Sequence, residues 1–305
     1  MKQTNLSIKI KRLLKRINFP KYLHRFGPKK FKLQDHLEAL LLMEVCKSSL
    51  RRTEKISKLF DKNTPTYSVL CKSRKRIPIE LWQRLLKITS GLSSGEVAID
   101  GTGFSKTNPS FHYLKRIDGS NPKNFAKLSA TMDLKNKKFL AMRIRTSPRH
   151  DMQDVKYLLK RSGKIKAFYG DKGYSAEWLY ELCFWKEIQT FIPSKKNVRM
   201  RRFRKKQFEN YSEDEYRQRS LIECGFSCIK RKYGGMVRAK KIQGLRAEIY
   251  CKGIAHNLEL WSKRFSTEPI SIIKIISSNN KNRDKYSEQT KSRQFDYWLS
   301  AASIC

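Results

Sequence analysis

Acidic residues are what this sequence has least of. In 305 residues, 27 Asp and Glu stand against 67 Lys and Arg, giving a formal charge of +40 and a pI near 10.1. A chain so charged repels itself, and the imbalance calls for a polyanionic partner. Nucleic acid is the first candidate, because each phosphate neutralised releases counterions. An anionic membrane surface and a structural place in a ribosome or nucleoid are the alternatives. Long apolar runs are also missing. The best stretch, Leu37 to Cys46, is interrupted by Glu38 and Glu44, and a span needs roughly 20 apolar residues. The basic N-terminus has no apolar h-region, so secretion is not expected. A disulfide framework is absent too: the seven cysteines are an odd number without framework spacing, which suits a reducing, cytoplasmic setting. Cys224 and Cys228 have no second Cys or His pair at zinc-site distance, so buried thiols are the expected reading.

Against this scarcity, the organisation reads in order. Residues 1–34 hold no acid at all and form a basic arm, either irregular or a short helix along phosphates. Residues 35–95 read as a small all-α domain. Asp35 and Glu38 suggest a capping box opening a helix to about Cys46; further helices are expected over Leu50 to Phe60, from Pro65–Ser68 to Ile77, and over Pro78 to Ser90. The third ends in Lys72, Arg74, Lys75 and Arg76. This group is either a helix-turn-helix DNA-binding domain or a plain basic bundle.

From Glu96 the pattern becomes strands separated by helices. Val97 to Ile99 reads as a buried strand stopping at Asp100, before Gly101-Thr102-Gly103. A hairpin follows, Leu128 to Leu134 and Phe139 to Ile144, then a helix from His150-Asp151 to about Arg161. Next come a strand from Ile165 to Tyr169, the turn Gly170-Asp171-Lys172-Gly173, a helix from Ser175 to Trp185, and a strand from Ile188 to Ile192. A helix from Tyr216 to Lys230 opens at Ser212-x-x-Glu215 and stops at Gly234-Gly235. The last, from Gly244 to Trp261, should pack on the sheet. This order is that of an RNase H-like α/β fold over residues 96–263, a mixed five-stranded sheet flanked by helices. The insert 194–211, dense in Arg199, Arg201, Arg202, Arg204, Lys205 and Lys206, is too polar for a core and reads as a solvated loop or a strap over DNA. Residues 264–305 are rich in Ser, Asn and Lys and read as a weakly ordered tail.

Tyr216, Arg219, Glu223 and Lys230 fall on one stripe of a helix at spacings of three, four and seven. Alone, such a stripe is usually a solvated face with an i,i+4 ion pair. However, Y-x2-R-x3-E-x6-K resembles the catalytic-helix signature of DDE transposases of bacterial and archaeal insertion sequences, and VAIDGTG around Asp100 and YGDKGY around Asp171 resemble that family's two upstream motifs. The resemblance runs from about Glu96 to about Leu260.

It implies Asp100, Asp171 and Glu223 as catalytic residues holding two Mg²⁺ (or Mn²⁺) ions, with Asp100 bridging and the other two each holding one. Hard cations take oxygen ligands, and two of them can stabilise both the attacking and leaving oxygens of a phosphodiester. Tyr216, Arg219 and Lys230 would grip phosphates at the transposon end, with Arg231 extending the grip. Lys172, Arg201, Arg202, Arg204, Arg74, Lys75 and Arg76 are further candidates for DNA contact. The implied partners are double-stranded DNA, as terminal inverted repeats and as target, and a second copy in a synaptic homodimer. No membrane and no small-molecule substrate are expected, and the location would be nucleoid-associated. The insert is short and lacks Trp, unlike that of hairpin-resolving family members. Turn aspartates often serve only their own backbone, which is the structural alternative for Asp100 and Asp171; Asp133 in the hairpin and Asp151 at a helix cap read as structural. A catalytically silent DNA-binding descendant of a transposase is the rival reading.

Overall fold

The computed structural model describes residues 13–15, 21–23, 29–59, 64–106, 116, 125–147, 149–194 and 199–263, the last three as backbone. The tail and most of the basic arm lie outside the described residues. Among the described residues, after a helical stretch at 13–15, four helices precede the sheet: α1 (Leu33–Val45), α2 (Leu50–Leu59), α3 (Tyr67–Arg76) and α4 (Ile79–Ser90). α1 begins two residues before the expected cap, because Asp35 is its third residue and accepts the Lys32 N–H at 2.8 Å. That still satisfies an orphan donor at the helix start.

The sheet follows, as β1 (Glu96–Lys106), β2 (Phe125–Asp133), β3 (Lys138–Arg145), β4 (Ala167–Tyr169), β5 (Gln189–Phe191) and β6 (Met236–Val237). Its order is β3-β2-β1-β4-β5, with β6 also pairing β1. β1, β2 and β3 are antiparallel neighbours, whereas β1, β4 and β5 run parallel. Helices α5 (Met152–Ser162), α6 (Glu177–Trp185), α7 (Arg202–Phe208), α8 (Glu213–Arg217), α9 (Ser220–Tyr233) and α10 (Ile242–Lys263) complete the described chain. None is long and apolar enough to cross a membrane.

Two expectations are corrected, the end of β1 and the five-strand count of the sheet. The strand does not stop at Asp100: it pairs with β2 as far as Ser105 opposite Phe125. Its parallel pairing with β4 covers only Glu96 to Ala98. The far half of β1 would therefore expose unpaired backbone on one side, and the sixth strand, unforeseen in the sequence, partly fills that edge opposite Ser105 and Lys106.

The insert is not wholly loop either. α7 lies within it, and Arg204 and Gln207 are buried. Gln207 donates to the Ile188 carbonyl and accepts the Thr190 N–H, which ties the helix to β5. Polar side chains can enter a core when their hydrogen bonds are met there.

Two buried clusters flank the sheet. One, containing Val97, Ile99, Val155, Leu158 and Phe168, seats α5 and α6. The other joins Ala98, Ala130, Met132 and Met142 to α9, α10 and the first four helices. Those helices thus share a core with the sheet, and charge reinforces the contact. Lys252 of α10 bonds Glu44 of α1 at 2.7 Å, and Arg74 of α3 bonds Glu248 of α10 at 2.5 Å.

Candidate active site

Register places the first two carboxylates. Ala98 of β1 lies beside Tyr169 of β4 in parallel alignment, so Asp100 and Asp171, each two residues further on, emerge at the point where the two strands part. Asp171 caps a 3₁₀ turn (Lys172–Tyr174) by accepting the Gly173 N–H at 2.7 Å. Asp100 accepts the N–H of Gly101 at 2.7 Å.

Glu223 arrives from α9. A Cβ on Gly225, two residues along, would lie 2.7 Å from the Met132 sulfur and 3.3 Å from the Phe139 ring. Glycine there lets α9 settle directly on β2, and thereby brings Glu223 to the end of the sheet where Asp100 emerges.

The stripe from Tyr216 to Lys230 does not lie on one regular helix. Ser212 caps the short α8, accepting from the Glu215 N–H. Then Arg219, Leu221 and Ile222 each bond three residues back, to Tyr216, Gln218 and Arg219, a tightened 3₁₀ pitch before α9 proper. Glu215 does not close the expected capping box. It accepts instead from the Tyr169 hydroxyl at 3.1 Å and from Gln218 at 2.8 Å, tying the break to the end of β4.

At that break sits Arg219. One guanidinium nitrogen lies 3.3 Å from Asp100 Oδ2 and the other 2.5 Å from Glu223 Oε1. Burial disfavours its charge, but Tyr216, Asp100 and Glu223 outweigh that and raise its pKa. The Asp100 carboxyl is likewise pushed above its ordinary range. Burial is the main cause, with Asp171 and Glu223 adding repulsion and the Gly101 N–H and Arg219 opposing it. Asp100 therefore feels both of the other carboxylates, and one cation serves two of the three.

Lys230 lies over the Phe104 ring, 5.6 Å from its centroid. It lines, with Asp100, Gly101, Thr102, Glu223 and Arg231, an open groove of about 590 Å³. Tyr216 stands 6.3 Å from Tyr211, ring to ring, and Tyr211 stacks on Phe208. Lys172, Arg201, Arg202, Lys75, Arg76 and Arg231 are exposed. Two other candidates are committed elsewhere: Arg204 is 4% exposed and donates to the Arg199 carbonyl, and Arg74 is engaged by Glu248. Cys224 is exposed and Cys228 partly so, which corrects the reading of both as buried thiols.

Two further groups lie near the site: Asp151, expected only as a helix cap, and Tyr174, the last residue of the Asp171 motif. Asp151 approaches β1 so closely that a Cβ on Gly101 would meet its Oδ1 at 2.9 Å; Lys127 neutralises it at 2.8 Å. Tyr174, 2% exposed, has a buried hydroxyl without a partner. Burial raises its pKa far above the usual phenol value, and Asp151, Asp100, Asp171 and Asp154 raise it further. Their positions depend on pairing across the sheet, which spacing along the chain does not reveal. Asp133, by contrast, is buried and accepts from Ser93, Ser94 and Asn136, as a structural turn residue should.

The donor set suits a hard cation. Asp100, Asp171 and Glu223 offer only oxygens, and Mg²⁺ needs one or two carboxylates while phosphate and water complete its shell. As arranged, no group of three such side chains among the described residues converges closely enough to hold an ion. Arg219 stands between Asp100 and Glu223 and supplies the neutralising charge.

A mixed sheet that sets Asp100 within β1 and Asp171 just past the end of β4, with Glu223 of α9 linked to Asp100 through Arg219, on a strongly cationic chain, is an arrangement suited to phosphoryl transfer as in the transposase class. The match to known families agrees: the transposase DDE domain model covers residues 91–258, and the chain belongs to that family. No curated protein matches it. Among solved structures it is similar to a piggyBac transposase synaptic complex with hairpin DNA, at 13% identity and a TM-score of 0.48, over 88% of this chain and 74% of that one.

Proposed function

We propose that the protein is the transposase of an insertion sequence, binding the terminal inverted repeats of its element, cutting at their ends and joining the freed 3′ ends to target DNA. The observation that carries this reading is the convergence of Asp100 and Asp171 where β1 and β4 part, with Glu223 joined to Asp100 through Arg219. The connectivity of the sheet, three antiparallel strands followed by two parallel ones with helices on both faces, supports an RNase H-like catalytic domain.

Asp100, Asp171 and Glu223 would hold the divalent ions, Mg²⁺ or Mn²⁺. When bound, such ions stabilise charge on the attacking and leaving oxygens of a phosphodiester. Arg219 would exchange its carboxylate partners for a DNA phosphate, for which its planar fork is suited. Lys230 and Arg231 would hold the backbone along the groove, fixing register without reading bases. Residues 35–95, with Lys75 and Arg76 exposed, would engage the repeats. Joining two ends calls for at least two copies.

The test is cleavage of a labelled duplex carrying the element end, with Mg²⁺, with Mn²⁺ and with chelator, for wild type and Asp100→Ala. Metal-dependent nicking at the repeat boundary, lost in the variant, is the expected result. Tight binding with no cut under any metal would replace this reading with a silent DNA-binding protein.

A further inference from the structure

Five arginines, none in the sequence signature, meet in a pocket at the β3 edge of the sheet. Arg143, Arg145, Arg149, Arg161 and Arg246 come from β3, the loop after it, α5 and α10, and they line a cavity of about 420 Å³. A single carboxylate, the exposed Glu80, shares that lining. Behind it, Asp154 forms ion pairs with Arg143 at 3.1 Å and with Arg145. Tyr157 is held between two guanidinia, Arg161 at 3.8 Å and Arg143 at 4.4 Å from its ring centroid, and Arg161 also donates to Gln83 at 3.0 Å. Arg143, Arg145 and Arg161 are thus preorganised by stacking, ion pairing and hydrogen bonding, which limits the entropy lost when a ligand is held.

Donor capacity is nevertheless left over. The buried Nε atoms of Arg145 and Arg246 have no hydrogen-bond partner. A buried N–H on a charged group without an acceptor is costly, and both of these residues also line the cavity. Five like charges around one cavity also repel, and an anion bound among them relieves that repulsion. Guanidinium forks fit phosphate oxygens in pairs.

The register relates the pocket to the carboxylates. Gly101, next to Asp100, pairs with Ser129, which pairs with Arg143. Two strand spacings separate them, on the order of 10 Å. With phosphates about 3.4 Å apart along one strand, that is roughly three nucleotides or more from the cut.

We propose that this arginine pocket binds the phosphodiester backbone of duplex DNA some nucleotides away from the scissile bond, as a site separate from the carboxylate groove. The proposal rests on the transposase reading. Arg149 and Arg246 carry no ion pair among the described residues, so they can be changed without stranding a buried carboxylate.

The experiment measures affinity for a labelled duplex by anisotropy over a range of NaCl. It compares wild type, Arg149→Gln/Arg246→Gln, and Lys135→Gln/Lys164→Gln, which removes the same charge from exposed positions near the opposite ends of the strands. The pocket variant should lose about 2 from the slope of log K against log salt, on the order of 0.9 per contact, and the control should lose little. Equal losses in both variants, or none in the pocket variant while wild type binds, would overturn the proposal. Failure of wild type itself to bind duplex would instead overturn the transposase reading on which it rests. Independently of folding in the variants, phenylglyoxal labelling of wild type should show Arg145, Arg149 and Arg246 protected by duplex. Equal protection by inorganic phosphate at matched ionic strength would assign the pocket to a small anion.

Discussion

Replacing Lys252 with Met should destabilise the protein in a pH-dependent way that reports how firmly the first helices are joined to the sheet. Lys252 and Glu44 have side chains 3% and 7% exposed and pair at 2.7 Å. Burial pushes the Glu44 carboxyl up to about 7 from an ordinary 4.5, Lys252 opposes that rise, and Glu248 adds to it. Because the folded pKa is the higher one, the native state binds the extra proton. The associated stability is present in full below about 4.5 and is lost as pH climbs through 7, about 3 kcal/mol for a shift of this size.

Without Lys252 the opposing attraction disappears, and the carboxyl titrates at still higher pH. Removing one partner of a buried pair costs roughly 3–5 kcal/mol, which at about 2–4 °C per kcal/mol lowers Tm by on the order of 10 °C. The loss should be small at pH 6, where Glu44 is largely neutral, and should widen towards pH 9. Thermal unfolding followed by circular dichroism from pH 6 to 9 measures it. Glu44→Leu combined with Lys252→Met should recover most of the loss, since an apolar pair of similar volume has no charge left to desolvate. A deficit that is the same at every pH, or no recovery in the double variant, would refute the reasoning.

Other outcomes follow from the site. Glu223→Gln should abolish strand cleavage while duplex affinity stays level or rises, because a metal ligand and a negative charge beside phosphate are both removed; parallel loss of binding, read by gel shift, would count against the assignment. Arg219→Ala should flatten the salt dependence of binding by about 0.9 in slope, one phosphate contact, and an unchanged slope would mean that Arg219 stays with its carboxylates when DNA binds. Tyr174→Phe deletes a buried hydroxyl that has no partner, so thermal unfolding should show it stabilised by on the order of 1 kcal/mol. A lower Tm would show that the hydroxyl is bonded in solution.

What could be read along the chain and what could not divides by the range of the interaction. The polyanion partner follows from charge alone, and the alternation of strands and helices from local periodicity. The three proposed carboxylates could be picked out because each stands in a short motif: Asp100 before Gly101-Thr102-Gly103, Asp171 before Lys172-Gly173, and Glu223 inside a four-position signature. The end of α9 was equally local, since Gly234 adopts a φ of 85° that favours glycine.

Other features arise only when distant segments pair. β1 continues past Asp100 because β2 supplies hydrogen bonds that Gly101 and Gly103 give no hint of, and β6 exists only because that extension leaves an edge open. The break between α8 and α9 follows from Glu215 bonding Tyr169 and Arg219 reaching Asp100, a pull from 119 residues away in the chain that outweighs a regular helical repeat. Arg204 and Arg74 look like free surface cations in sequence, yet a buried niche and Glu248 claim them. The arginine pocket, assembled from four segments, has no linear signature at all. Composition and short motifs thus determined the chemistry this chain can perform. Tertiary structure decided which of its many cations are free to face DNA, because only the fold brings each one to a carboxylate, a carbonyl or open water.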